Sequence, residues 1–78
     1  MYINAAQCRA ARALLGWSRD VLATHSKVGK RTIVDFERGA RAPHESTRIA
    51  LRLAFESAGI EFIDENGGGA GLRFKEPQ

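Results

Sequence analysis

Glycine cuts this chain into short lengths. Gly16, Gly39 and Gly59 each follow a run of helix-forming residues, and each predicts a helix that stops on a glycine. The first run is Ala5 to Leu15, preceded by Asn4 and Gln7 as a capping pair, with Cys8, Ala11 and Leu15 on one face. After Gly16, Ser18 caps a short second helix from Arg19 to His25, and Trp17 is placed to fold back on Leu22. Ser26 to Val28 is a tight connection into a third helix, Lys30 to Arg38, whose inward positions are Ile33 and Phe36, with Val28 ahead of them. Pro43 excludes helix from the residue before it, so Arg41 to Pro43 is a loop. A fourth helix starts near Glu45 or Ser46 and runs to about Ala58. Its apolar positions are Ile49, Ala50, Leu53 and Ala54, with Leu51 and Phe55 as further candidates.

Beyond Gly59 the period changes from that of helix to that of strand. Ile60 to Ile63 and Leu72 to Lys75 are β-prone runs around a Gly-rich turn, which predicts a hairpin. A lone hairpin is barely stable, so it must pack on the helices or on a second copy. The expected fold is therefore mainly α: a bundle of four to five helices over residues 1–59, with a β-hairpin over 60–78 in the same domain. With 78 residues the chain falls short of the ~100–200 usual for a domain. A chain this small buries only ~60% of its unfolded surface, and self-association is a common remedy. Phe55, Ile60, Phe62, Leu72 and Phe74 are more apolar area than a two-stranded tail hides easily, which makes the fourth helix and the hairpin, through these residues, the expected dimer surface.

Charge narrows the partner. The net charge is +3, but residues 1–59 carry ten basic and five acidic side chains, while 60–78 carry two basic and four acidic. A basic helical region over an acidic tail points to a polyanion. No run is long and apolar enough for a membrane span or a signal peptide, which makes the cytoplasm the expected location.

The second and third helices with their tight connection form a helix-turn-helix candidate. Arg12, Leu15-Gly16-Trp17-Ser18, Leu22-Ala23, Val28, Arg31-Thr32-Ile33 and Phe36-Glu37-Arg38-Gly39 together resemble the Cro/phage-repressor (XRE) family of DNA-binding regulators. The likeness covers residues 8–59, and more loosely the stretch from Gly59 to Gly69, which is similar to short bacterial members with a hairpin after the bundle. It implies that Lys30, Arg31 and Asp35 reach base edges; Lys and Arg suit guanine, and a carboxylate can accept from cytosine. Ser18, Arg19, Lys27, Thr32, Arg38 and Arg41 are the implied contacts to the DNA backbone. Arg12 and Glu37 are the implied structural bridge from the first helix to the third. Two departures stand out: the family often has glutamine where Arg19 stands, and usually glycine where Lys27 stands. A lysine in a left-handed turn costs roughly 1 kcal/mol, so a distorted turn is one outcome.

Other chemistries fit poorly. His25, His44 and Cys8 match no zinc spacing, and no metal or cofactor is expected. Glu61, Asp64 and Glu65 lack a nucleophile or base at a meaningful spacing, and the Asn66 to Gly69 turn lacks the lysine and following helix of a phosphate loop. An enzyme is not expected. The expected function is a nucleoid-associated regulator that binds an inverted repeat as a homodimer, with half-sites ~34 Å apart, repressing or activating and acting on its own operon by resemblance. RNA polymerase is a further partner implied by the family, with Asp20 the only acidic residue near the second helix to touch it. The alternative is a DNA-binding antitoxin or interaction module whose main partner is another protein.

Overall fold

In the computed structural model, residues 2–40, 43–65 and 67–76 are described. Among them are four helices and one antiparallel hairpin: α1 (Ala5–Leu15), α2 (Arg19–Ser26), α3 (Lys30–Glu37), α4 (Glu45–Ser57), β1 (Ile60–Ile63) and β2 (Gly71–Phe74). The third helix stops one residue before the expected Arg38, which is its C-cap.

Local chemistry accounts for the ends of the first two helices. The Asn4 side chain accepts from the Gln7 amide at 2.7 Å, and the Gln7 side chain accepts from the Asn4 amide at 2.9 Å. Two amides that α1 itself cannot satisfy are thereby paired. Gly16 closes α1 with φ 68°, a conformation that only glycine adopts at little cost. The Ser18 hydroxyl accepts from the Val21 amide and starts α2.

The core is one cluster. Ile3, Cys8, Ala11, Leu22, Ile33, Leu51 and Phe55 have no solvent exposure, and Phe36, Ala54, Ile60 and Phe62 have little. Trp17 stacks on His25, with ring centroids 4.3 Å apart, and leans on Phe55 at 5.9 Å; Phe55 meets Phe62 edge-on. The register is Ile60 with Phe74, Glu61 with Arg73, Phe62 with Leu72 and Ile63 with Gly71. This places Ile60, Phe62, Leu72 and Phe74 on the face that meets the helices. The segment before α1 is fastened to α4, where Arg48 donates to the Ile3 carbonyl at 3.0 Å and lies over the Tyr2 ring.

Phe55, Ile60 and Phe62 are buried within the protomer, which removes these three from the expected dimer surface, while Leu72 and Phe74 are half-buried against the same cluster. The hairpin hides its apolar face on its own helices. On α4 the inward stripe is Leu51, Ala54 and Phe55, whereas Ile49 and Leu53 are 44% and 56% exposed.

Candidate nucleic-acid interface

α2 and α3 are joined by residues 27–29. Lys27 occupies the left-handed region at φ 63°, ψ 18°, as the C-cap of α2. The turn is therefore not distorted to accommodate lysine; the lysine adopts the glycine conformation. Ser26 holds the turn from inside: its buried hydroxyl donates to the Leu22 carbonyl at 2.7 Å and accepts from the Val28 amide at 3.2 Å. Gly29 is the N-cap of α3 and, lacking a side chain, offers its first turn no cap.

α3 is strongly two-faced. Ile33, Phe36 and Glu37 point inward, while Lys30, Arg31 and Thr32 are exposed and Val34 and Asp35 are half-exposed. The residues expected to reach base edges thus sit together over the first turn and a half of the helix. They are not isolated charges. The Lys30 ammonium is 3.1 Å from the Asp20 carboxylate near the start of α2, and the Arg31 guanidinium is 3.5 Å from Asp35, one turn along. Arg31 remains 87% exposed.

Glu37 anchors α3 from behind. Its carboxylate has no solvent exposure and is gripped by two guanidinium groups. Arg12 donates through two nitrogens at 2.8 Å each, and Arg19 donates from Nε at 2.9 Å. Arg12 also bonds the Trp17 carbonyl at 3.1 Å, and Arg9 bonds the Glu37 carbonyl. Burial opposes ionisation of Glu37, but hydrogen bonds from Arg12, Cys8 and Arg19 outweigh it and hold the carboxyl below its ordinary pKa. The same contact raises the pKa of Arg12. Burial first, and the hydrogen bond to Glu37 second, push the Cys8 thiol up.

The expected backbone contacts divide. Ser18, Lys27, Thr32 and Arg38 are exposed. Arg19 donates from Nε to Glu37, because that buried carboxylate has lone pairs left after Arg12 is bound, and its side chain stays 38% exposed. Arg41 lies outside the described residues. Three contacts were not foreseen from the sequence: Asp20 with Lys30, Arg19 with Glu37, and Arg9 with the end of α3. The first is a pair ten residues apart, joining the starts of adjacent helices, and only the turn geometry brings its members together.

No family model matches the chain, and no curated protein matches it. Among the described residues, no helix is long and apolar enough to cross a membrane, and no group of three or more His, Cys, Asp and Glu could hold a metal ion.

Proposed function

We propose that the chain is a sequence-specific duplex-DNA-binding regulator of transcription, with α2 and α3 acting as a helix-turn-helix of the Cro/phage-repressor type. The observation that carries this reading is the polarity of α3: a slim face of Lys30, Arg31 and Thr32 turned outward, on a helix fixed from behind by Glu37. A helix read against the edges of bases needs both properties, because it must fit the major groove and must not rotate within it. The cations displace counterions and supply salt-dependent affinity. Lys30 and Arg31 then address guanine edges and Asp35 a cytosine amine, while Ser18, Lys27, Thr32 and Arg38 set the register on phosphates.

A reading head this small covers few base pairs, and a homodimer on an inverted repeat supplies the rest. With the hairpin face internal, the dimer surface in this reading is the exposed Ile49 and Leu53 pair on α4, beside a shallow groove of about 280 Å³ floored by Ala50 and Ala54.

Selection from random duplex DNA tests the reading. The wild type enriches a two-fold symmetric motif, and Lys30→Ala/Arg31→Ala loses it. Enrichment of nothing, with only weak salt-sensitive binding left, rejects a specific regulator and favours a protein partner.

A further inference from the structure

Asp20 puts a negative charge on the face that the proposed reading turns toward DNA. Its side chain is 73% exposed, and one oxygen is 3.1 Å from the ammonium of Lys30, itself 56% exposed. Lys30 is the first residue of α3, and Asp20 the second of α2, so the pair spans the two helices. A carboxylate here weakens any attraction to phosphate, and the cost calls for a role.

An ammonium has three N–H donors. One bonded to Asp20 leaves two to donate. A guanine edge brings neutral acceptors, O6 and N7, and Lys30 can reach them while keeping its carboxylate. A phosphate brings a full negative charge within a few ångströms of Asp20, where the two anions repel. The same Lys30, held beside Asp20, therefore discriminates between a base edge and the backbone.

We infer that Asp20 is a specificity-determining residue that tethers Lys30 and makes its contact with phosphate unfavourable relative to its contact with a base. The inference rests on the DNA-binding reading above. It assigns Asp20 a part in choosing the DNA sequence, separate from any contact with polymerase.

The test compares wild type, Asp20→Asn, Lys30→Ala and the double variant on two duplexes: the selected motif, and an unrelated sequence of the same length, each across a range of salt. Glu61→Gln is the control, because Glu61 is likewise paired, with Arg73 on the hairpin, and its loss changes the net charge equally at a different place. Asp20→Asn tightens binding to the unrelated duplex by roughly 2- to 5-fold. It steepens the salt slope there by about one. Affinity for the motif changes less, so the specificity ratio falls. The effect disappears when Lys30 is already alanine. Glu61→Gln leaves the ratio unchanged. An unaltered ratio in Asp20→Asn, or an equal fall in Glu61→Gln, overturns the role of Asp20 and leaves the regulator reading standing. A wild type that distinguishes no sequence overturns both.

Discussion

Glu37 is charged in a place where charge is costly, and its neighbours decide how much. With its pKa held below the ordinary value near 4.5, it contributes stability above that value and loses it as pH falls through the folded pKa. Unfolding free energy measured from pH 6 down to pH 3 drops in the wild type, and Glu37→Gln flattens that limb. At neutral pH the same variant costs about 2–3 kcal/mol, below the range for fully buried pairs because Arg12 and Arg19 keep some contact with water. Lys27 gives the opposite sign. Its left-handed backbone favours glycine, so Lys27→Gly raises stability by up to ~1 kcal/mol in a denaturant titration. The Arg12–Glu37 pair was legible through the family likeness. The contacts of Arg9 and Arg19 were not, because an arginine at a helix surface reads in sequence as a solvated cation. Only the position of an unsatisfied oxygen reveals where it goes.

The ends of the elements follow local rules, and their faces do not. Asn4 with Gln7, Gly16 and Ser18 were each readable from residue type and spacing, since capping involves neighbours in the chain. Asn4→Ala therefore weakens the protein by about 1 kcal/mol. Gln7→Ala weakens it more, by the same denaturant measurement, because the Gln7 side chain also donates from Nε2 to the Gly71 carbonyl at 3.0 Å and ties α1 to β2. On α4 the helix was legible and its inward stripe was not. Isoleucine, leucine and alanine nearly encircle that helix, and a pattern apolar on most sides names no unique inner face. Which stripe is buried was settled by the hairpin, whose Phe62 packs against Phe55.

At the scale of the whole molecule, Phe55 is central, touching both Trp17 and Phe62. Phe55→Ala costs roughly 3–5 kcal/mol. A 78-residue chain has little more than that to lose, so circular dichroism shows this variant largely unfolded at 25 °C. Leu53→Asp is the contrasting change: at 56% exposure it leaves the fold intact. Under the proposed homodimer, light scattering gives this variant the mass of one chain and the wild type the mass of two; equal masses reject the α4 contact. The hydrogen bond from Gln7 to Gly71 spans 64 positions, and the strand that receives it follows all four helices in the chain. On the ribosome all four helices emerge before β2, with Ile60 and Phe62 still lacking their strand partners. The hairpin, and with it the full core, closes only after β2 has cleared the exit, so the nascent chain passes through a helical but unsealed state in which chaperones can bind it.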